Sequence, residues 1–150
     1  MLAGALAAGA LLWSAAVLFA PLALTSHNVA LATPAAVFFE AAALVCHQRP
    51  ERSFHLSGIQ LPVCARCAGL YFSAAAGAVA AWLARPREAG ARSLRLMLAV
   101  AALPTALTVA VEVLGLAYPS NVVRALSALP LGAAGAWVLV ATLGSEATRA

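Results

Sequence analysis

Four apolar runs, each about as long as a bilayer is thick, constrain the fold of this chain more than any other feature of its sequence. They cover residues 2–24, 62–84, 94–117 and 122–143. A helix needs ~20 apolar residues to cross ~30 Å of hydrocarbon, and each run meets that length. The composition agrees, because 64% of the residues are hydrophobic, 9% are charged and the mean hydropathy is +0.95. The sequence therefore predicts an all-α integral membrane protein, a four-transmembrane-helix bundle in a single domain of residues 1–150.

Two apolar segments have a second interpretation. The first run resembles a secretory signal, but it is longer than the ~7–15-residue core of such signals and lacks a positively charged leader, so we expect it to span the membrane. Residues 28–45 are also largely apolar, yet they include Pro34 and Glu40. An interfacial or re-entrant helix over residues 34–46 fits this composition better than a lipid-facing fifth span. A fifth span would invert the sidedness predicted next.

The distribution of arginine predicts the orientation of the bundle. The loop between the second and third runs contains four arginines and one acid, namely Arg85, Arg87, Arg92, Arg95 and Glu88. Because basic loops stay in the cytoplasm, we expect both termini inside the cell and the loop of residues 46–61 outside, in a multi-pass protein of the cell membrane. A net charge of +4 favours anionic lipid headgroups as partners beside the bilayer itself. No basic-aromatic pattern indicates nucleic acid.

Small residues predict which helices pack closely. On the second run they recur every four positions, and the same holds for the fourth run; the two sets are Gly69, Ser73 and Gly77, and Ala128, Gly132 and Ala136. This small-xxx-small pattern lets two helix backbones approach each other. We therefore expect a compact bundle.

Reactive side chains are concentrated in one place. All three cysteines and two of the three histidines lie within 22 residues: Cys46, His47, His55, Cys64 and Cys67. Cys64 and Cys67 are spaced i, i+3, so both thiols should share one face at the start of the second span, where the helix dipole favours thiolates. Two such thiolates are half of a tetrahedral zinc site, and Cys46 with His47 or His55 would supply the other half. The sequence predicts a site for zinc or another divalent metal at the outer membrane face.

Two other interpretations of the cysteines stay open. A C-x-x-C pair at a helix N-terminus is also the geometry of a redox disulfide, as in four-helix membrane oxidases that pass electrons from thiols to quinone. Those proteins need a second cysteine pair, whereas Cys46 is alone. The third interpretation is that the thiols only pack, with an incidental disulfide at most.

Charged residues elsewhere point to the same end of the bundle. Glu112 lies near the end of the third span and Arg124 near the start of the fourth, so each is set against its helix dipole. An ion pair between them would compensate both charges, and ionisable groups at this depth are functional candidates. Alternatively, Arg124 faces the Cys/His loop and forms an anion pocket. Its partners there would be three more arginines: Arg49, Arg52 and Arg66.

Such a pocket suits a lipid-phosphate-handling enzyme or transporter. In such a protein, Glu112 or His47 would be the group that donates or accepts a proton. Nothing in the sequence separates one substrate from another, and it does not decide whether the protein is an enzyme.

The motifs also resemble a known family. Residues 46–54 read CHQRPERSF and residues 58–71 read GIQLPVCARCAGLY, and this pair resembles the signature of the prokaryotic membrane-protein family DUF2085. The resemblance extends to EVLGL at residues 112–116 and SNVVR at residues 120–124, and it covers roughly residues 35 to 140. It implies a multi-helix membrane protein and no established activity.

Overall fold

Helices dominate the molecule. The computed structural model describes residues 2–26, 28–84 and 90–149, which form five α-helices, one 3₁₀ turn and one small hairpin. The α-helices are α1 (Leu2–Thr25), α2 (Val29–Ala43), α3 (Ala65–Ala84), α4 (Ala91–Val113) and α5 (Asn121–Arg149). The 3₁₀ turn is Pro50–Arg52, and the strands are β1 (His55–Leu56) and β2 (Ile59–Gln60). Arg85, Arg87 and Glu88 of the predicted cytoplasmic loop lie outside the described residues.

Four of these helices are long and apolar enough to cross a membrane. They are α1, α3, α4 and the segment Asn121–Leu143 of α5. Most of their large apolar side chains are exposed on the outside of the bundle, which is the arrangement expected of a surface that faces lipid. The prediction of an all-α membrane protein with four spanning helices is confirmed.

The additional helix before the cysteine loop is short. α2 has 15 residues, fewer than the ~20 that a span requires. Asn28 caps its start, because the Asn28 side chain accepts a hydrogen bond from the backbone N–H of Ala30 at 3.0 Å. Pro34 lies in the second turn of α2, and Glu40 is exposed.

Close packing of α3 against α5 forms the centre of the bundle. A methyl group added at Gly69 or Gly77 would collide with the backbone of Ala125 or Ala133, and one at Gly132 would collide with the carbonyl of Leu70. The small residues on both helices therefore bring the backbones into contact, as their spacing predicts.

Polar contacts join the outer helices to this central pair. Ser14 of α1 donates to the carbonyl of Tyr71 in α3 at 3.2 Å. Thr105 of α4 donates to the carbonyl of Ser127 in α5 at 2.8 Å, and the Thr108 and Ser127 hydroxyls lie 3.1 Å apart. These bonds satisfy hydroxyl groups that would otherwise face hydrocarbon.

The loop between α2 and α3 closes one end of the bundle. Its hairpin turns at Ser57 and Gly58, with φ of 53° and 83°, the backbone that a two-residue hairpin turn requires. Below it, Val63 and Leu61 are buried with Val17 of α1 and Ala42 of α2. The loop therefore lies on an apolar core, which holds it in place over the helix ends.

Candidate functional site

The three cysteines converge at the end of the bundle that this loop closes. Cys46 follows α2 and is buried, Cys64 immediately precedes α3, and Cys67 lies in its first turn. Their three Sγ atoms all lie within 4.8 Å of one another. The backbone N–H of Cys64 donates to the Cys46 sulfur at 3.1 Å, which fixes the loop thiol against the start of the helix. The group could hold a metal ion.

The environment of Cys64 favours the thiolate. A hydrogen bond from the Cys67 thiol and, to a smaller extent, the backbone N–H of Cys67 lower the pKa of Cys64, although burial opposes this change. Donors directed at a sulfur at a helix start stabilise its negative charge. Thiolate is the form of cysteine that binds metal ions.

The two histidines of the motif lie in different places. His47 lines a cavity beside the three sulfurs, whereas His55 lies on strand β1 and is not among the residues that line this cavity; both histidines are exposed. Among the described residues, the group of mutually close ligand atoms contains the three cysteines and neither histidine ring.

The cavity beside the cysteines is strongly basic. Its volume is about 390 Å³. The residues that line it are Val45, the three cysteines, His47 and four arginines, namely Arg49, Arg52, Arg66 and Arg124. They come from the loop, α3 and α5, so only the folded bundle assembles this cavity.

Glu112 joins three of these arginines. Its Oε1 lies 2.9 Å from Arg52 Nη2 and 3.0 Å from Arg124 Nη2, and its Oε2 lies 3.3 Å from Arg66 Nη2. The exposed fraction is 6% for the Glu112 side chain and 8% for that of Arg124. The Glu112–Arg124 pair expected from the sequence is present. Arg124 also lines the cavity, so the same side chain pairs with Glu112 and lies beside the other arginines of the cavity.

Asn121 links Arg124 to the loop through two hydrogen bonds. Its side-chain oxygen accepts from Arg124 Nη1 at 3.0 Å, and its side-chain nitrogen donates to the carbonyl of Ser53 at 3.1 Å. Ser53 in turn donates to the carbonyl of Arg49 at 2.9 Å. Asn121 and Ser53 are not among the site residues predicted from the sequence. The available signal was that Asn121 lies three residues before Arg124, one helical turn away on the same face.

Two glutamines fix the segment that carries His47. Gln48 has a positive φ of 47°, and its side chain donates to the carbonyl of Phe39 at 2.7 Å. The side chain of Gln60 donates to the carbonyl of Gln48 at 3.0 Å. The backbone between α2 and the 3₁₀ turn is therefore joined to α2 through Gln48 and to the hairpin through Gln60.

The site combines two kinds of chemistry. Clustered thiolates are soft ligands that suit zinc, copper(I) or iron. Guanidinium groups suit phosphate and carboxylate oxygens, which they contact through paired N–H donors. A metal held by the cysteines would lie next to a cavity whose arginines attract anions.

Comparison with known proteins identifies relatives of this chain and its family. An uncharacterised protein of Methanothermobacter thermautotrophicus is 34% identical over 88 residues, which is 59% of this chain and 78% of that protein. An uncharacterised protein of Methanocaldococcus jannaschii is 47% identical over 36 residues, 24% of this chain and 23% of that protein. No solved structure matches the chain significantly. The family model of the predicted membrane proteins called DUF2085 matches residues 46–138, from the first cysteine through most of α5, and the chain belongs to this family.

Proposed function

We propose that this protein binds zinc or another divalent metal ion through Cys46, Cys64 and Cys67. The observation that carries the proposal is the approach of the three sulfurs to within 4.8 Å of one another. In a tetrahedral zinc site with Zn–S bonds of ~2.3 Å, ligand sulfurs lie ~3.8 Å apart. The three thiols therefore need only a small movement to bind one ion.

The fourth coordination position could be occupied by His47, by His55 or by a group from outside the protein. His47 is the better placed histidine, because it follows Cys46 in the chain and lines the cavity beside the sulfurs. His55 lies on strand β1 of the hairpin and is not among the residues that line this cavity. We assign the fourth position to His47, with water or a bound anion taking that position when His47 is displaced. An open fourth position is typical of catalytic zinc sites.

We place this site on the outer side of the cell membrane. The cysteine loop and the Glu112 cluster are at one end of the bundle, and Ala84 and Ala91, which flank the arginine-rich connection, are at the other end of α3 and α4. Basic connections remain in the cytoplasm, so the site would face outward.

The metal proposal is tested by elemental analysis of protein purified in detergent, combined with a count of free thiols. We expect about one metal ion per chain, and thiols that react only after chelation or denaturation. Cys46→Ser and Cys67→Ser should each lose the metal. His47→Ala should weaken binding of added zinc, and the matched variant His55→Ala should not.

The same measurements identify the redox alternative. A protein without metal, in which Cys64 and Cys67 form a disulfide that dithiothreitol reduces and a quinone reoxidises, would overturn the metal proposal in favour of a thiol-quinone redox protein. Equal metal content in the parent chain and in Cys46→Ser would also contradict it.

A further inference from the structure

We propose that the cavity beside the cysteines binds a phosphate dianion, either free or as the headgroup of a phosphomonoester lipid. Arg52, Arg66 and Arg124 would hold the phosphate oxygens, while Glu112 keeps the three guanidinium groups in position. This inference goes beyond the metal site and does not depend on it, because the arginines surround the cavity whether or not the cysteines hold an ion.

The charge of the cavity favours a dianion. Three arginines share the single carboxylate of Glu112, and Arg49 adds a fourth positive charge to the cavity. Among the described residues that line the cavity there is no carboxylate. Three thiolates with a divalent ion would contribute one net negative charge, so the lining stays positive in either state of the metal site. A dianion would balance the charge that remains.

The unused hydrogen-bond donors of the arginines favour an oxyanion. Arg124 is more than nine-tenths buried, and it spends one donor on Asn121 and one on Glu112. Its Nε, like that of Arg66, is buried and has no hydrogen-bond partner within the part of the chain that the structure describes. A guanidinium carries five N–H donors, so both side chains keep donors beyond those used by Glu112. Buried donors of this kind are normally paired, and an oxyanion supplies the acceptors.

The size and position of the cavity suit a phosphate group. A cavity of about 390 Å³ falls within the range of small-molecule sites and leaves room for a phosphate with an organic substituent. Val45, which is exposed just after α2, forms part of its wall beside the polar groups. A carboxylate would fit the volume, but it carries one charge and two oxygens. Phosphate matches guanidinium groups that converge from the loop, α3 and α5.

The test is calorimetric titration of the full chain in detergent with inorganic phosphate at low ionic strength. Arg52→Gln and Arg49→Gln, the two more exposed arginines of the cavity, should each weaken phosphate binding by about tenfold or more, since each removes a charged donor. Arg95→Gln is the matched control, because Arg95 is exposed in the first turns of α4, 17 residues before Glu112. It should bind phosphate like the parent chain.

The two sources of phosphate are separated with vesicles. The protein is reconstituted in phosphatidylcholine with and without phosphatidic acid, and phosphate binding is measured in both. If phosphatidic acid competes with inorganic phosphate, and Arg52→Gln abolishes the competition, the headgroup is the ligand. If inorganic phosphate binds equally in both membranes, free phosphate is the ligand.

Both titrations are made on metal-loaded and on chelated protein. A chain that binds no metal but binds phosphate through Arg52 supports this inference while the metal proposal fails. The inference is overturned if phosphate and phosphatidic acid bind neither form, or if Arg52→Gln, Arg49→Gln and Arg95→Gln bind them equally well.

Discussion

Replacing Glu112 with glutamine should destabilise this protein more than replacing Arg124 with glutamine. Glu112 is the shared counter-charge of three guanidinium groups, at 2.9, 3.0 and 3.3 Å, and its side chain is 6% exposed. Glu112→Gln removes that charge and leaves all three cations together. Arg124→Gln removes one of three cations and leaves the carboxylate paired with Arg52 and Arg66.

The expected magnitudes follow from burial. Removing one partner of a buried ion pair costs about 3–5 kcal/mol, because the remaining charge is left without compensation. We expect Glu112→Gln to fall in this range. Arg124→Gln should cost about 1–3 kcal/mol, the free energy of a lost hydrogen bond to a charged group. The cost is smaller because Glu112 keeps its contacts with Arg52 and Arg66. In the double variant one of the stranded cations is also absent. Its cost should therefore lie below the sum of the single costs by about 1–3 kcal/mol.

The assay is reversible unfolding by sodium dodecyl sulfate in mixed micelles, followed by circular dichroism, on the parent chain, both single variants and the double variant. Arg95→Gln serves as the control and should change the free energy of unfolding by less than about 0.5 kcal/mol. Single costs that add within about 0.5 kcal/mol would show that the two residues do not interact. An Arg124→Gln cost equal to that of Glu112→Gln would contradict the shared role of the carboxylate.

Two further predictions concern packing and orientation. Gly69→Ala should lower the free energy of unfolding by about 1–3 kcal/mol in the same assay, because the added methyl group would meet the carbonyl of Ala125. The control is Gly9→Ala, which has open space around it and should be neutral. Equal costs of the two variants would refute close packing of α3 on α5. An impermeant maleimide applied to intact cells should label Ser57→Cys, on the exposed hairpin, more strongly than it labels the parent chain. It should label Ser93→Cys only after the cells are permeabilised. The reverse pattern would place the site in the cytoplasm.

Much of the fold followed from local patterns in the sequence. The length of each apolar run determined four helices long enough to span a bilayer, and Pro34 with Glu40 marked the segment that forms the short α2. The four-residue repeat of Gly69, Ser73 and Gly77 predicted a close helix contact. These properties are local because helix length and helix faces depend on residues that are near one another in the chain.

The composition of the site was only partly readable. The i, i+3 spacing placed Cys64 and Cys67 on one face of a helix start. By contrast, the sequence left His47 and His55 equivalent as ligands, because the path of the loop between them depends on the Ser57–Gly58 turn and on the glutamine contacts. Only the folded loop distinguishes them, with His47 at the cavity and His55 on the hairpin.

Tertiary structure decided how the charges are shared. The sequence indicated a pair between Glu112 and Arg124 or, alternatively, an arginine pocket. It could not indicate that Arg52 and Arg66 reach the same carboxylate, since these residues lie 60 and 46 positions away from Glu112 in the chain. Their convergence depends on how the loop, α3 and α4 meet at one end of the bundle. Glu112 and Arg124 are buried there, so water competes less for their charges, and one carboxylate contacts three guanidinium groups that are distant in sequence.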